Sequence, residues 1–212
     1  MTFNRVAPHY RRLETVVFGE QLQQARTAFV RQLEAPRRAL VVGEGNGRFL
    51  AALLRAHSAL KVDCVEASAR MIALARVELE DESRVNFIQA DIRATPLPSQ
   101  HYDLIVTHFV LDCFAEETLA TIIAQLANAA TPQAQWLVAD FCEAGKGWRR
   151  LRARLLIATM YSFFRLFAGI EARRLADYRP FLQAQGFILT DTTISPNEMI
   201  RSELWRRALP PG

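Results

Sequence analysis

The sequence predicts an α/β fold in one domain: a doubly wound, mostly parallel seven-stranded sheet that ends in a C-terminal antiparallel hairpin. Three observations lead there. Strand-like and helix-like segments alternate from Arg38 onward, as βαβ units require. The run Leu40-Val41-Val42 is short and wholly apolar, as expected of a strand covered by helices on both faces. That strand stops in alternate glycines, Gly43, Gly45 and Gly47, before a helical pattern begins. Without Cβ atoms such a turn lets backbone N–H groups approach a ligand and adopt positive φ.

The elements follow in order. The chain has 212 residues, half of them apolar, enough for one substantial core. Residues 1–35 are expected to form an N-terminal helical cap, and residues 38–141 the ligand-binding core. After the glycine turn come a helix over 46–57, a strand over 61–66, a helix over 68–80 with Ser68 as its N-cap, and a strand over 87–92. A fourth strand spans 102–112 and a helix 115–130, which Thr131-Pro132 stops before a fifth strand over 134–141. The pattern breaks at Gly145-Lys146-Gly147. Residues 146–185 are expected to hold lid or acceptor-side helices, the last over 177–185 with Gly186 as its C-cap. Strands over 187–194 and 198–206, joined at Ser195-Pro196-Asn197, complete the hairpin.

The glycine spacing selects among ligands. A dinucleotide fingerprint wants Gly-x-Gly-x-x-Gly, whereas here Arg48 holds the third position and a glycine sits one residue early, at Gly47. This points away from NAD and toward another adenosine-containing ligand. Glu66 ends the second strand about 20 residues beyond the glycines, where such sheets place an acid for ribose hydroxyls; its other reading is a solvated acid at a strand end.

Taken together, the glycine turn, Lys61-Val62-Asp63-Cys64-Val65-Glu66, Phe87-Ile88-Gln89-Ala90-Asp91-Ile92 and the segment from Tyr102 to Asp112 resemble the class I S-adenosylmethionine-dependent methyltransferases from about Arg38 to Phe141. The opening Phe3-Asn4-Arg5-Val6-Ala7-Pro8-His9-Tyr10 is more weakly similar to that of the ubiquinone/menaquinone-type C-methyltransferases. The resemblance implies S-adenosyl-L-methionine as cofactor and S-adenosyl-L-homocysteine as product. It implies cofactor contacts from Tyr10, Gly43, Glu44, Gly45, Asn46, Gly47, Glu66, Ala67, Met71, Asp91, Ile92, Thr107 and His108. Asp91 would meet the adenine amino group, or else cap a turn, with Ile92 packed on the ring. One departure stands out: the family usually has an acid two positions before the first glycine, and this chain has Val41 there. Glu44 either compensates or caps the following helix, whose positive end an acid complements.

Methyl transfer from a sulfonium is an in-line displacement, so alignment supplies most of the rate and a base is needed only if the acceptor must lose a proton. His108 and Asp112, at and after the end of the fourth strand, are the candidates; their alternatives are a wall residue and a helix cap. The expected reaction is methylation of a small, apolar or aromatic acceptor. A non-catalytic S-adenosylmethionine-binding or membrane-associated partner protein and a nicotinamide-dependent oxidoreductase are the rival readings. Nucleic acid is disfavoured, because Thr107-His108-Phe109-Val110 replaces the Asp/Asn-Pro-Pro-aromatic signature of nucleic-acid amino methylases.

Composition adds little more. The 26 basic and 22 acidic residues leave a charge of +4, which does not demand a polyanion. Polar sequence at the start in place of an apolar leader makes the cytoplasm the expected compartment. Cys64, Cys113 and Cys142 lack metal-ligand spacing and are expected as free thiols, with no metal site. His57 and His101 receive no role. The basic, then greasy segment from Lys146 to Arg174 reads as a helix packed on the sheet or as a lid over the acceptor, centred on residues 148–170. Its apolar part is shorter than the ~18–20 residues a bilayer span needs, leaving at most peripheral membrane contact.

Overall fold

The computed structural model describes residues 20–80, 82–143, 147–148 and 176–208. Strands β1 (Arg38–Val42), β2 (Lys61–Glu66), β3 (Val85–Gln89), β4 (Tyr102–His108), β5 (Ala130–Phe141), β6 (Phe187–Ile194) and β7 (Ile200–Arg207) form one sheet in the order β3-β2-β1-β4-β5-β7-β6. The first five are mutually parallel. β7 pairs antiparallel with both β5 and β6, which closes the sheet with the expected hairpin. The chain leaves β1 for β2 on one side and returns to β4 on the other, so a crevice opens between the carboxyl ends of β1 and β4.

Period-2 alternation buries both faces. Leu40 and Val42 of β1 join Ile105, Trp136, Trp205 and Phe187 in one apolar cluster, covered by α4 (Glu116–Ala129) through Leu119, Ile122, Ile123 and Leu126. Ala39 and Val41 face the opposite cluster with Leu104, Val106 and Leu137, covered by α2 (Arg48–Ala56) through Phe49, Leu50, Leu53 and Leu54. Val41, which occupies the family's acidic position, is therefore a core residue. The short α1 (Gln21–Thr27) lies beside this second face: the Ser202 hydroxyl of β7 donates to Ala25 O at 2.8 Å, and Gln23 Nε2 donates to Arg48 O at 3.1 Å.

Helix ends follow the chemistry of their caps. Ser68 caps α3 (Ala69–Glu78), its hydroxyl accepting from Met71 N at 3.2 Å, as expected. The last helix, α5 (Arg179–Ala184), starts two residues later than expected, after Tyr178, and the Asp177 carboxylate ahead of it accepts from Arg179 N at 3.2 Å. The chain then turns at Gly186, φ +80°.

Several boundaries differ from the sequence reading. β5 begins at Ala130, not 134, so Pro132 stands inside the strand. The ladder between Tyr102 and Leu104 is irregular and pairing with β7 starts only at Gln135, so the missing proline N–H breaks no regular ladder bond. β4 ends at His108, since Phe109 adopts φ +56° and a 3₁₀ turn follows at Leu111–Cys113. β3 spans Val85–Gln89 and gives way to a 3₁₀ turn at Ile92–Ala94. β7 starts at Ile200, because Asn197 and Ser195 tie residues 195–200 into a turn by accepting from Met199 N and Ile200 N. Of the N-terminal cap, α1 and a 3₁₀ turn at Val30–Gln32 are described. Tyr10 and, apart from the exposed Trp148, the expected lid over 148–170 lie outside the described residues.

The C-terminal end of α4 depends on one side chain. Arg207 Nη1 donates to Ala127 O and Ala130 O, both at 2.9 Å, while its guanidinium lies 5.5 Å from the Phe187 ring centroid. Arg207→Ala strands these carbonyls and uncovers the ring. We expect a loss of about 1.5–3 kcal/mol in urea-unfolding free energy, with the denaturant dependence unchanged.

Candidate active site

The crevice at the β1/β4 switch point is a cleft open to solvent. Gly43, Glu44, Gly45, Glu66, Ala67, Met71, Ala90, Asp91 and Ile92 line one side. Arg26, His108, Phe109, Val110, Cys113 and Phe114 line the other.

The three glycines of the turn do different work. Gly43 has φ +70°, and a Cβ there would lie 2.4 Å from Val110 Cγ2, so its hydrogen lets the β1 turn rest against the loop after β4. Gly47, φ +87°, would place a Cβ 2.8 Å from Ala75 Cα; it seats the start of α2 on α3 and does not line the cleft. At Gly45, φ +74°, a Cβ would meet nothing within 4 Å. That open space on the cleft side is room for a ligand. Asn46 is also outside the lining: its Oδ1 accepts from Arg48 N at 3.4 Å, and its Nδ2 is buried with no partner among the described residues.

The acids of the cofactor side are held by backbone. Glu66 is 7% exposed, and its carboxylate accepts from Ser68 N at 2.8 Å and, across the glycine turn, from Gly45 N at 3.4 Å. Burial raises its pKa, opposed by these amides. Glu44 accepts from Phe49 N and Leu50 N, both at 3.2 Å, and so caps α2, whose N-cap residue Gly47 has no side chain to do so. Burial pushes its carboxyl up to about 7, while Arg26 and the two amides pull the other way. Asp91 caps the 3₁₀ turn through Arg93 N at 3.0 Å and pairs with the Arg93 guanidinium, which holds its carboxyl below the usual range. Ile92 is buried at the cleft edge.

On the opposite side His108 faces the cleft, its ring packed edge-on against Phe49 at 4.5 Å. Its Nδ1 is buried and has no hydrogen-bond partner among the described residues. Burial first, and the nearby Arg26 charge second, hold its pKa well below 6.5, so the imidazole is neutral at physiological pH. Two expected residues do not come to the cleft. Thr107 is fully buried on the α4 face, its hydroxyl accepting from Trp136 Nε1 at 2.9 Å, as alternation with His108 dictates. Asp112 turns away too: its carboxyl hydrogen-bonds that of Asp140, and its N–H donates to Asp140 Oδ2 at 3.2 Å.

Sequence reading missed Arg26, Phe109, Val110, Cys113 and Phe114. Arg26 is 6% exposed, with its guanidinium 5.2 Å from the Phe109 ring centroid. Its signal was a lone arginine in a short helix, indistinguishable from a solvated one. Cys64, Cys113 and Cys142 are free thiols. Among the described residues no cluster of His, Cys, Asp and Glu has the makings of a metal site, and no helix is long and apolar enough to cross a membrane.

The donor set fits an adenosylated cofactor: a carboxylate at the end of β2, a backbone turn with open space before it, and an apolar residue at the end of β3. The fold is that of the class I, Rossmann-like, S-adenosyl-L-methionine-dependent methyltransferases. Residues 39–133 match the family described as methyltransferase domain. Among solved structures, the chain resembles the N-methyltransferase NodS from Bradyrhizobium japonicum WM9 in complex with S-adenosyl-L-homocysteine, at 16% identity over 94% of this chain and 88% of that one, with a TM-score of 0.63. It resembles the Burkholderia thailandensis 1,6-didemethyltoxoflavin-N1-methyltransferase, with bound 1,6-didemethyltoxoflavin and S-adenosylhomocysteine, at 16% identity over 96% and 85%, TM-score 0.67. The [4+2]-cyclase SpnF is similar as well, at 15% identity over 87% and 80%, TM-score 0.64. At these identities the likeness is one of fold. No curated protein sequence matches the chain.

The glycine geometry makes a paired prediction. Gly45→Ala has room for its methyl group and is expected to abolish S-adenosylmethionine binding at a stability loss of about 1–2 kcal/mol from φ strain. Gly47→Ala adds contact with the α3 backbone and should cost about 3 kcal/mol or more in urea unfolding. Calorimetric binding and denaturation of both variants check the contrast.

A second prediction concerns pH. Glu44 binds its proton more tightly in the native state than in the unfolded chain, where its pKa is 4.5. Its contribution to stability therefore falls as pH rises from about 4.5 to about 7, by about 3 kcal/mol, and then levels off. Glu44→Gln keeps an oxygen for the α2 amides without a buried charge. Its unfolding free energy should lack that fall and exceed the wild-type value above neutrality; an unchanged pH slope would place the buried charge elsewhere.

Proposed function

We propose that this protein transfers the methyl group of S-adenosyl-L-methionine to a small acceptor with an apolar or aromatic face, releasing S-adenosyl-L-homocysteine. The observation that supports this reading is the make-up of the cleft at the β1/β4 switch point. A buried carboxylate and an open glycine turn stand on one side, and Phe109, Val110 and Phe114 on the other. The cofactor would supply an activated methyl group whose leaving sulfur becomes neutral. In this reading Glu66 accepts the ribose hydroxyls, Ile92 packs against adenine, and Asp91 meets its amino group with the lone pairs that Arg93 leaves. Gly43 and Gly45 bring the backbone close to the ligand, while Ala67 and Met71 fill the adenosine side.

Of the two expected catalytic groups, the cleft retains His108. Its neutral imidazole carries one N–H and one lone pair, and its orphan Nδ1 fits a polar group arriving with a ligand. His108 then orients the acceptor or takes its proton, and no second base faces the cleft from Asp112.

Calorimetry with S-adenosylmethionine and S-adenosylhomocysteine, followed by transfer of labelled methyl to a panel of small phenols, amines and thiols, tests the proposal. Cofactor binding without transfer to any acceptor would favour a non-catalytic binding protein; NADH binding would favour the oxidoreductase. Glu66→Ala should weaken S-adenosylmethionine roughly 10- to 100-fold in a folded protein.

If His108 takes the proton, His108→Asn should lower kcat by about 10²–10⁴ with cofactor affinity nearly intact. Because its pKa is depressed, the rise of activity with pH should be complete below 6.5, with no histidine inflection above it. A fully active His108→Asn enzyme would leave alignment as the source of the rate.

A further inference from the structure

We infer that Asp140 is a positioning residue for the acceptor side of the cleft: its carboxyl, hydrogen-bonded to that of Asp112, fixes the turn of residues 109–114 against the site. The inference rests on reading the cleft as a methyl-transfer site.

The turn needs an anchor. It begins at Phe109, whose φ of +56° is a left-handed conformation that bulky side chains rarely adopt. The Phe109 N–H donates to Ala139 O at 2.7 Å, and the ring lies 5.0 Å from that of Phe141. Both partners belong to the end of β5. Between them stands Asp140, 1% exposed, whose Oδ2 accepts from Asp112 N at 3.2 Å and whose Oδ1 accepts from Phe141 N at 3.1 Å. The hydrogen bond between the two carboxyls completes the clamp. Phe109, Val110, Cys113 and Phe114, most of the wall opposite the glycine turn, all come from the segment so held.

Two carboxyls that face each other away from water cannot both ionise cheaply, so the pair keeps one proton between them in a hydrogen bond. Among the described residues, the other groups around the pair are the Cys113 thiol on the turn, the Tyr178 hydroxyl before α5, and Glu203 and Arg201 on β7. The Cys113 thiol, 3.5 Å from Asp112 Oδ1, is held well above its ordinary range and stays neutral. Glu203 accepts from Tyr178 OH at 3.0 Å and Trp205 Nε1 at 2.9 Å, with Arg201 3.9 Å away, so its charge is met within its own group. The shared proton therefore holds the turn. Its loss at alkaline pH sets two anions against each other and loosens the acceptor wall, while the cofactor side, built on β1 and β2, is unaffected.

The test uses the full chain, with S-adenosylhomocysteine as the bound probe. Infrared spectra recorded well above the pH of about 7 at which Glu44 ionises should contain a carboxylic-acid C=O stretch that Asp140→Asn removes. Amide exchange of residues 109–114 should rise about tenfold or more in Asp140→Ala and much less at neutral pH in Asp140→Asn, whose amide keeps an acceptor for Asp112 N and a donor for the Asp112 carboxylate and gives up only the bond from Phe141 N. At alkaline pH, after correction for intrinsic rates, the wild-type turn should lose protection and the Asn variant should not. Calorimetry should give all three proteins the same S-adenosylhomocysteine affinity. If Asp140→Ala does not fold, the infrared band and the alkaline contrast between wild type and Asn decide. Absence of the band, or equal alkaline protection in wild type and Asn, would overturn the inference. Failure of the cofactor to bind the wild type would instead overturn the functional reading and leave the carboxyl pair to the spectra.

Discussion

The left-handed backbone between β1 and α2 is the constraint from which the rest of the site follows. Gly43, Gly45 and Gly47 all have φ between +70° and +87°, so the chain reverses within five residues and α2 starts directly above the strand it leaves. A looser connection would push α2 off the sheet and fill the crevice that strand order opens beside β4. Close approach is needed on two sides, against Val110 and against Ala75, and is left unused on the third. The site is the volume that remains at Gly45.

Burial of that volume sets its electrostatics. Glu44, Glu66 and His108 are each 7% exposed or less, and each is shifted toward its neutral form. Glu44 spends its oxygen on the free amides of α2, and so replaces a capping residue that Gly47 cannot supply. Glu66 instead spans from the start of α3 to the glycine turn and ties together the two loops on that side of the cleft. The same principle, applied to two carboxyls at once, governs Asp112 and Asp140.

Much of this was legible in the sequence, and the parts that were not share a cause. The parallel core, the hairpin and the Ser68 cap follow from local pattern, because periodicity and capping act over a few residues. Glu66 was readable because its place at a strand end fixes where its side chain goes. Thr107 and His108 show the limit: both end β4, yet alternation sends one into the core beneath Trp136 and the other to the cleft, and the choice depends on which face α2 covers. Asp112 was read from its nearness to that strand, but its partner Asp140 comes from the end of β5, which chain order does not reveal. Arg26 reaches the cleft only because Ala25 is fixed to Ser202, a contact across most of the chain. Asn46 and Gly47 were included because the motif contains them; Gly47 serves helix packing instead.

The two sides of the cleft also differ in how far the family match extends over them. Gly43 to Gly47, Glu66, Asp91 and Ile92 lie within residues 39–133, and the turn from Phe109 to Phe114 does as well. The groups that set that turn's position and surroundings, Arg26 and Asp140, do not. Methyl transfer from a sulfonium spreads its positive charge between sulfur and acceptor in the transition state, and such a reaction gains from surroundings of low polarity that are already arranged. A neutral imidazole, a carboxyl pair that keeps a proton and a wall of Phe109, Val110 and Phe114 provide those surroundings. The glycine-turn side of the cleft and the wall opposite are thus built from different strands, and the second can change with Asp140 or Arg26 while the glycine turn stays as it is.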